Sequence, residues 1–290
     1  MKINGKTRVC GLIGNPVEHT LSPSIHNRLA ELLEINLVYV PLPVENDRVH
    51  TAVCGAKAMN FLGLNVTVPY KSKVIDSLSE IDVAAEEIGA VNTLVSTENG
   101  YKGYNTDMPG LKRAMQSDGI ILKDKDVVIL GAGGVARAVA VLCAKEQVKK
   151  LYIINRTLTN SQEILKEISK FHPELNIELL TYDEYDRLPA TGLTAIQCTS
   201  VGLFPKTEEV VIESDEFYKK ISVGYDMIFN PYETKFMKLV RHNGGLAYNG
   251  LKMLLYQAVI AFELWNKVSI TEEMAMVVYK QLKEESGIHE

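Results

Sequence analysis

The chain has 290 residues, 46% of them hydrophobic, which is enough to bury two ordinary cores and predicts two domains. Its formal net charge of −5 argues against a nucleic-acid partner or an anionic membrane surface, because both require clustered Lys and Arg. The N-terminus has no apolar signal core and no run is long enough to span a bilayer, so we expect a cytoplasmic protein whose partners are small molecules.

Apolar runs of strand length alternate with segments of helical period, and this pattern predicts an α/β fold in which helices flank parallel sheets. In the first part of the chain, strands are predicted near residues 9–13, 38–42, 64–68, 91–95 and 101–104. The helices predicted between them lie near residues 23–33, 47–59 and 70–78.

A second series of strands is predicted near residues 127–130, 151–154, 177–180, 194–197, 223–226 and 246–248. Six such strands match one doubly wound, Rossmann-type dinucleotide-binding sheet. The last two predicted helices, 251–266 and 271–285, have no strand after them, so we expect them to return to the first domain. The predicted domains are therefore 1–107 plus 250–290 for one α/β domain, and 108–249 for the dinucleotide-binding domain.

Lys71 ends the run that starts at Asn65, where an apolar strand should stop and a helix should begin. A helix N-terminus carries partial positive charge and disfavours an ammonium, so this position suits a lysine that gives up and regains a proton. A solvated lysine in the first turn after a proline fits the same seven residues equally well. The run alone therefore indicates a candidate proton carrier without choosing between the two interpretations.

A glycine-rich element follows the strand predicted at 127–130 and opens an alanine-rich helix. Its first glycine permits a tight turn, its second lets the backbone approach a pyrophosphate, and the small Ala136 allows the helix to pack closely on its strand. N–H groups at the helix start can then bind phosphate. A glycine turn that merely connects strand to helix is common, but the flanking elements favour a dinucleotide site at Gly131, Ala132, Gly133, Gly134 and Val135.

Arg156 stands at the tip of the next predicted strand, between Asn155 and Thr157. An acidic residue at this tip would accept hydrogen bonds from the ribose of NAD, and the run contains none. A guanidinium pairs instead with the 2'-phosphate of NADP, and Asn155 and Thr157 supply further polar contacts. A surface arginine after a strand is the alternative interpretation. The pattern favours NADP over NAD.

Asp107, Asn92 and Ser22 each fit an ordinary structural role, since Asp107 resembles a helix N-cap and the other two resemble turn and cap residues. Their predicted places favour a site. Thr67, Lys71 and Asn92 lie at or near the carboxyl ends of predicted parallel strands. Ser22 lies in a strand-to-helix loop and Asp107 lies where the domains join. Ligands of such sheets bind at that edge.

Taken in order, these segments resemble the shikimate dehydrogenase family over nearly the whole chain. The matching segments are Gly14-Asn15-Pro16 with Ser22-Pro23, Asn65 to Lys71, Ala90 to Thr93, Asn105 to Asp107, Gly131 to Gly134, Asn155 to Thr157, Thr199 to Gly202, and Gly250-Leu251 leading to Gln257. The resemblance implies reversible NADPH-dependent reduction of 3-dehydroshikimate to shikimate, a step of the chorismate pathway to aromatic amino acids.

The resemblance also implies roles for individual residues. Lys71 and Asp107 would be the catalytic pair. The substrate would be surrounded by Thr20, Ser22, Thr67, Lys71, Asn92, Asp107, Phe229 and Gln257. The NADP cofactor would contact Thr199, Met227 and Gly250 in addition to the glycine loop and the Asn155 to Thr157 segment.

The chemistry of these side chains agrees with ketone reduction, which needs a hydride on carbon and a proton on oxygen. Lys71 can donate that proton and, once neutral, remove it in the reverse direction, while Asp107 orients the lysine and accepts from a substrate hydroxyl. Hydroxyls of Thr20 and Ser22 would hold the substrate carboxylate. No metal is required, and the spacing of the four cysteines suggests neither a zinc site nor a disulfide framework.

Three positions depart from the family pattern. Asn160 stands where a second basic residue is common, which weakens the case for NADP without removing it. Thr20 replaces the usual serine and keeps its hydroxyl. Phe229 replaces a usual tyrosine, so one hydrogen bond to substrate, worth ~1 kcal/mol, is expected to be missing.

The sequence leaves other functions open. An enzyme of the same architecture could act on quinate with NAD or either cofactor, because quinate shares the ring carboxylate and most hydroxyls with shikimate. A non-catalytic regulator that binds NADP or shikimate would have little need for both Lys71 and Asp107. A folate-type dehydrogenase would want an apolar slot instead of a hydroxyl-rich set. The oligomeric state, monomer or homodimer, is likewise open.

Overall fold

The computed structural model describes residues 3–286, and its chain forms two compact α/β units. The first unit is Met1–Gly110 with Leu255–Glu290, and the second is Leu111–Leu254. This division does not test the predicted roles of the domains. Substrate binding by residues 1–107 plus 250–290 and NADP binding by residues 108–249 stay predictions. Residues 1–2 and 287–290 of the first predicted domain lie outside the described residues.

The first unit contains a six-stranded sheet with the order β2-β1-β3-β5-β6-β4. Its strands are β1 (Arg8–Gly14), β2 (Leu37–Pro43), β3 (Gly63–Val66), β4 (Glu80–Ile81), β5 (Thr93–Thr97) and β6 (Gly100–Tyr104). Its helices up to the boundary are α1 (Ser22–Leu32), α2 (Val49–Ala58), α3 (Val83–Ile88) and the start of α4 (Asp107–Ser117). The strand at β4 and the helix α3 were not predicted, because two and six residues are too short to give a periodic signal.

The prediction that this sheet is wholly parallel is wrong at β5, which runs antiparallel to both β3 and β6. The physical reason lies in the connection to β6. Only Glu98 and Asn99 separate the two strands, and a two-residue loop can join antiparallel strands but cannot make the crossover that parallel strands need. The other paired strands of the sheet are parallel.

The α-helix predicted at residues 70–78 is also wrong. The segment forms a turn at Val68 and Pro69 and then a 3-10 helix of five residues, Lys73–Ser77. Pro69 restricts Val68 to an extended conformation, so a helix cannot start before the proline. Because β4 already begins at Glu80, only a short segment remains between the two, and it forms a 3-10 helix instead of an α-helix.

The second unit contains a parallel six-stranded sheet with the order β12-β11-β10-β7-β8-β9, which confirms the predicted doubly wound arrangement. Its strands are β7 (Asp126–Leu130), β8 (Lys150–Ile154), β9 (Ile177–Leu180), β10 (Leu193–Gln197), β11 (Ile221–Asp226) and β12 (Leu246–Tyr248). Its helices are α5 (Gly134–Lys145), α6 (Leu158–Phe171), α7 (Asp215–Tyr218) and α8 (Lys235–His242), with a 3-10 helix at Tyr185–Arg187.

The centre of this second sheet is apolar on both faces. Residues 127–130 of β7 are fully buried, as expected of a parallel strand covered by helices on each side. Helix α5 covers the strand with a run of buried small residues, among them Ala136 and Ala140, which let its backbone approach the sheet. The strand end and helix start of the glycine loop are therefore held by a rigid core.

The last two helices, α9 (Leu251–Asn266) and α10 (Glu272–Glu285), belong to the first unit from Leu255 onward, as predicted. Trp265 Nε1 donates a 2.9 Å hydrogen bond to the Leu94 carbonyl in β5. The indole also lies against Gly63, where a Cβ atom would be 2.0 Å from Nε1. Within residues 3–286, no helix is both long enough and apolar enough to cross a membrane.

Candidate active site

Lys71 and Asp107 form an ion pair in the first unit, called here the Lys–Asp pair. Lys71 Nζ lies 2.5 Å from Asp107 Oδ2, and the two side chains are 28% and 11% exposed. The predicted helix start beside Lys71 is absent, so the argument from a helix terminus is wrong. A carboxylate in direct contact, rather than a helix dipole, is the main electrostatic influence on this ammonium.

Asp107 is the first residue of α4, but it does not cap the helix. Asn105 performs that function: its Oδ1 accepts from the Asp107 N–H at 3.1 Å and from the Met108 N–H at 3.4 Å. Asn105 in turn donates to the Ala90 carbonyl at 3.0 Å. The capping interpretation of Asp107 is therefore wrong, and its carboxylate is free to bind side chains.

Asn92 holds the second oxygen of that carboxylate. Its Nδ2 donates to Asp107 Oδ1 at 2.8 Å, while its Oδ1 accepts from the Thr106 N–H at 2.8 Å and from the Thr93 hydroxyl at 3.0 Å. Asn92 is 3% exposed, so these bonds form in a largely dry environment. The Asp107 carboxylate is thus fixed from two sides, by Lys71 on one oxygen and by Asn92 on the other.

Three strands bring these residues to one edge of the first sheet. Thr93 of β5 pairs with Asn65 of β3 and with Tyr104 of β6. Because β5 is antiparallel, Asn92 precedes its strand, and the prediction that Asn92 lies at the carboxyl end of a parallel strand is wrong. The start of an antiparallel strand lies at the same edge of the sheet as the carboxyl ends of its neighbours, β3 and β6. Lys71 follows β3 and Asp107 follows β6, so Asn92 lies at the edge from which both residues of the Lys–Asp pair extend.

Thr20 and Ser22 lie together at the start of α1. The Thr20 hydroxyl donates to Ser22 Oγ at 3.1 Å and accepts from the Ser22 N–H at 3.2 Å. Ser22 is 7% exposed. The two predicted carboxylate-binding hydroxyls are therefore in contact with each other.

Thr67 and Gln257 are the other predicted substrate residues of the first unit. Thr67 follows β3, and its methyl group packs where Gly14 leaves room, since a Cβ on Gly14 would lie 2.3 Å from Thr67 Cγ2. Gln257 lies in α9 against Gly110 of α4, where a Cβ would be 2.7 Å from the Gln257 nitrogen. Phe229 lies in the second unit, after β11, and is half-buried.

Three buried residues connected to Asn92 through Asn65 had no role in the sequence analysis. Asn65 and Tyr39 are both buried and are joined by a 2.8 Å bond from the Tyr39 hydroxyl to Asn65 Oδ1. His26 stacks on Tyr39 with ring centroids 4.2 Å apart, and burial lowers the pKa of His26 to about 3, so the imidazole is neutral. Burial likewise raises the pKa of the Tyr39 hydroxyl. The sequence did contain one sign of this cluster, since Asn65 is a polar residue within the otherwise apolar strand β3.

The predicted glycine loop connects β7 to α5 in the second unit. Gly131 has a φ of +107°, which favours glycine, and a Cβ there would lie 2.6 Å from Thr199 Cγ2. No atom of the described residues lies within 4 Å of the Cβ positions of Gly133 and Gly134. Their open face, at the start of a helix without a side-chain cap among the described residues, suits a phosphate group.

The loops after β10 and β11 are joined through Gln197 and Asp226, which the sequence analysis did not single out. Gln197 Oε1 accepts from the Thr199 N–H at 2.5 Å, and its Nε2 donates to Asp226 Oδ1 at 3.3 Å. Burial raises the pKa of Asp226 to about 6. Predicted cofactor residues Met227 and Gly250 are adjacent, because a Cβ on Gly250 would lie 2.2 Å from the Met227 carbonyl oxygen.

The predicted 2'-phosphate site follows β8. Arg156 is exposed and forms no ion pair with a described residue. Asn155 Nδ2 donates to the Thr157 carbonyl at 2.8 Å, which fixes the turn that presents the guanidinium. The glycine loop and Arg156 follow two adjacent strands, β7 and β8. This arrangement fits NADP, because the helix start of α5 suits the pyrophosphate and the guanidinium of Arg156 suits the 2'-phosphate.

Two family models match the chain. Residues 12–94 match the model described as shikimate dehydrogenase substrate binding domain, and residues 113–200 match the model described as shikimate / quinate 5-dehydrogenase. Together they cover more than half of the chain.

A curated relative, the shikimate dehydrogenase (NADP(+)) of Halothermothrix orenii, is 39% identical over 268 residues, which are 91% of this chain and 93% of the relative. A second, from Methanococcus maripaludis, is 41% identical over 268 residues, 92% of this chain and 94% of the relative.

Solved structures agree over the same extent. A shikimate dehydrogenase in complex with NADP+ has a TM-score of 0.88 at 36% identity and covers 97% of each chain. The shikimate 5-dehydrogenase of Listeria monocytogenes, in complex with shikimate and NAD, has a TM-score of 0.90 at 29% identity, covering 97% of this chain and 98% of that one. The quinate dehydrogenase of Corynebacterium glutamicum, in complex with NAD, has a TM-score of 0.87 at 25% identity, covering 96% and 99%.

Proposed function

The chain belongs to the shikimate dehydrogenase family, and we propose that it catalyses the reversible NADPH-dependent reduction of 3-dehydroshikimate to shikimate with Lys71 and Asp107 as its catalytic pair. The chain is an NADP-dependent oxidoreductase. The observation that carries the proposal is the 2.5 Å contact of Lys71 Nζ with Asp107 Oδ2, beside an Asn92 amide that holds the other carboxylate oxygen.

NADPH, when bound, would supply the hydride for the ketone carbon. Gly133, Gly134 and the first N–H groups of α5 hold the pyrophosphate, and Arg156 neutralises the 2'-phosphate. Met227 and Gly250 lie toward the nicotinamide end. The roles of Gly133 and Gly134 agree with their open backbone, and the role of Arg156 agrees with a guanidinium that is unpaired among the described residues.

Lys71 handles the proton. In the reducing direction its ammonium donates to the developing alkoxide, and in the oxidising direction the neutral amine removes the hydroxyl proton. Asp107 Oδ2 orients the lysine, and the remaining acceptor capacity of the carboxylate suits a substrate hydroxyl. Because Asn92 fixes Oδ1, the proton donor is oriented before substrate binds.

The substrate is held by hydroxyls and amides. Thr20 donates to Ser22 Oγ, so the Ser22 proton is directed outward to the substrate carboxylate. Thr67 and Gln257 supply further hydrogen bonds to ring hydroxyls. Phe229 contributes an apolar surface in place of a hydroxyl, which lowers the hydrogen-bonding capacity for the substrate by one group.

The test is a spectrophotometric assay of nicotinamide reduction with shikimate or quinate against NADP+ or NAD+, with Lys71→Ala as the catalytic control. Reduction of NADP+ by shikimate that is lost in Lys71→Ala supports reaction, cofactor and lysine together. Shikimate and NADP+ binding by calorimetry without turnover in any combination would overturn the proposal and favour a regulator.

Quinate is the second candidate substrate. The family description that matches residues 113–200 includes quinate, and a quinate dehydrogenase shares the fold at 25% identity. Quinate keeps the ring carboxylate that Thr20 and Ser22 would bind. A larger kcat/KM for quinate than for shikimate in the same assay would favour this alternative, and efficient use of NAD+ would favour relaxed cofactor choice.

A further inference from the structure

Asn65 is a buried polar residue in the middle of the first sheet. It lies in β3 opposite Leu12 of β1 and Thr93 of β5, and it is 5% exposed. A primary amide buried in this position costs stability unless its hydrogen-bonding groups are satisfied. Its neighbours in the strand, Leu64 and Val66, are apolar and pack in the core. If position 65 served only to fill space, an apolar residue like its two neighbours would serve as well, so the amide itself indicates a function.

Both ends of the Asn65 amide make hydrogen bonds, to groups on two sides of the site. Oδ1 accepts from the Tyr39 hydroxyl at 2.8 Å. Nδ2 donates to the Asn92 carbonyl at 3.2 Å and to Thr93 Oγ1 at 3.0 Å. The backbone carbonyl of Asn92 can only accept, so Nδ2 must face it, and Oδ1 is left to accept from the Tyr39 hydroxyl.

The bond to Thr93 leaves the Thr93 hydroxyl free to donate, to Asn92 Oδ1 or to Thr106 Oγ1 at 3.2 Å. Since Thr93 Oγ1 accepts from Asn65, its own proton is available for Asn92 Oδ1, 3.0 Å away. A donor at that oxygen keeps the carbonyl end of the Asn92 side chain turned toward Thr93, and the N–H and hydroxyl of Thr106 support the same orientation. The Nδ2 end of Asn92 then faces Asp107 Oδ1.

We propose that Asn65 is a positioning residue for the reaction: by directing the Thr93 hydroxyl and binding the Asn92 backbone, it keeps the Asn92 amide oriented toward Asp107 and so holds the Lys–Asp pair. This inference rests on the proposed function of that pair. Asn65 touches neither the ammonium nor the carboxylate. It acts through Asn92, and through Tyr39 it is also bonded to β2, which lies on the far side of β1.

The isosteric variant Asn65→Asp separates this role from space filling. The introduced carboxylate cannot donate, so it would draw the Thr93 proton away from Asn92 Oδ1, leaving that oxygen to the Thr106 donors alone. It would also repel the Asn92 backbone carbonyl, to which Asn65 Nδ2 donates at 3.2 Å. A misoriented Asn92 would point its own oxygen at the Asp107 carboxylate. We expect kcat for shikimate oxidation to fall roughly ten- to hundred-fold, since small losses of alignment at the reacting centre have effects of this size.

A double-mutant cycle tests whether Asn65 acts through Asn92. We expect Asn65→Asp combined with Asn92→Ala to lose no more kcat than Asn92→Ala alone, because the second change removes the group that Asn65 orients. Leu64→Ala is the matched control: Leu64 is the fully buried neighbour in the same strand, and we expect lower stability to urea with kcat within about two-fold of wild type.

The experiment distinguishes this inference from the proposed function. No shikimate oxidation by the wild-type enzyme would refute the function. A wild-type enzyme with full activity, together with Asn65→Asp within two-fold of its kcat or losses that multiply in the double variant, would refute the role of Asn65. If Asn65→Asp does not fold, Thr93→Val decides: it keeps the volume and removes the hydroxyl, and an unchanged kcat in that variant overturns the proposal.

Discussion

At the scale of single residues, the Asp107 carboxylate illustrates how the site is organised. Its two oxygens have different partners, Lys71 on one and Asn92 on the other. The two contacts hold the orientation of the carboxylate, so it is already aligned with the lysine before the reaction. Preorganisation of this kind lowers the barrier of a proton transfer, because the alignment is already present in the folded protein.

Replacement of Lys71 should therefore affect turnover much more than affinity. For Lys71→Ala we expect kcat to fall by about 10²- to 10⁴-fold with little change in the Kd for shikimate, because the group works mainly in the transition state. Steady-state kinetics and calorimetry measure the two quantities. Lys73→Ala is the matched control, since Lys73 is an exposed lysine two residues away whose ammonium donates to Asn46 Oδ1. An unchanged kcat in Lys71→Ala would remove Lys71 from the mechanism.

Arg156 should matter for one cofactor and not for the other. For Arg156→Ala we expect the KM for NADPH to rise about ten-fold or more, because a charge-assisted bond to the 2'-phosphate is lost, while the KM for NADH hardly changes. Lys170→Ala, which removes an exposed cation from α6, is the control. Equal losses with both cofactors would instead assign Arg156 to adenine stacking or to the fold.

His26 should make the protein sensitive to acid. Its pKa is lowered by burial to about 3, so the unfolded chain binds a proton near pH 6.5 that the folded protein refuses. This contribution to stability is present above pH 6.5 and is lost as the pH falls toward 3. Between pH 7 and pH 5 we expect the free energy of unfolding of wild type to fall by ~2 kcal/mol relative to His26→Phe, which keeps the ring stacked on Tyr39. Urea unfolding at the two pH values measures it, and parallel pH profiles would contradict it.

At the scale of secondary-structure elements, the sequence was most informative where strands are continuous apolar runs. All six strands of the second sheet were predicted because each is a short buried run between helical segments, and the glycine loop followed from the strand and helix on either side of it. The first sheet was harder. The direction of β5 depends on a two-residue connection that lies outside any periodic pattern, and the 3-10 helix after Lys71 reflects the little chain available before β4.

In the candidate site, too, some residues could be predicted from sequence motifs and others could not. Lys71, Asn92 and Asp107 were predicted from ordered motifs, but Asn105, Thr93 and Asn65 have roles that depend on which strands pair. A sequence gives no distance between Asn65 and Asn92, which are 27 positions apart, and therefore no reason to connect them. Buried hydrogen-bond networks of this type follow from register, and register becomes known only with the sheet.

Helices α4 and α9 are in close contact at Gly110, and this contact should not tolerate a larger residue. A Cβ there would lie 2.7 Å from the nitrogen and 2.8 Å from the Cα of Gln257, and backbone atoms cannot move aside as a side-chain end can. For Gly110→Ala we expect a loss of about 1–3 kcal/mol in the free energy of unfolding and a higher KM for shikimate.

Gly55→Ala provides the matched control for this prediction. Gly55 lies inside α2 with no atom of the described residues within 4 Å of its Cβ position, so we expect alanine to stabilise the helix by about 0.5–1 kcal/mol. Urea unfolding of both variants measures the difference. Gly110→Ala as stable as wild type would show that the two helices can separate without cost.

At the scale of the whole molecule, the division into two units predicts separate responses to the two ligands. Trp265 supports the first unit through its bond to Leu94 and its packing on Gly63. For Trp265→Ala we expect a loss of about 3–5 kcal/mol in that unit and, by calorimetry, two unfolding transitions. Shikimate should raise the temperature of the first transition and NADP+ that of the second. Trp265→Phe, which fills most of the space, is the control, and a single transition raised by both ligands would contradict the prediction.

The order of segments along the chain also has a consequence for biosynthesis. Because the segment that completes the first unit begins only at Leu255, within α9, the ribosome makes the entire second unit before the first can close its core. At ordinary translation speeds the sheet formed by β1 to β6 waits on the order of ten seconds for Trp265 to be synthesised. During that interval Gly63 and the neighbouring apolar surface lack the indole that covers them, so we expect the nascent chain to bind chaperones at this defined stage of its synthesis.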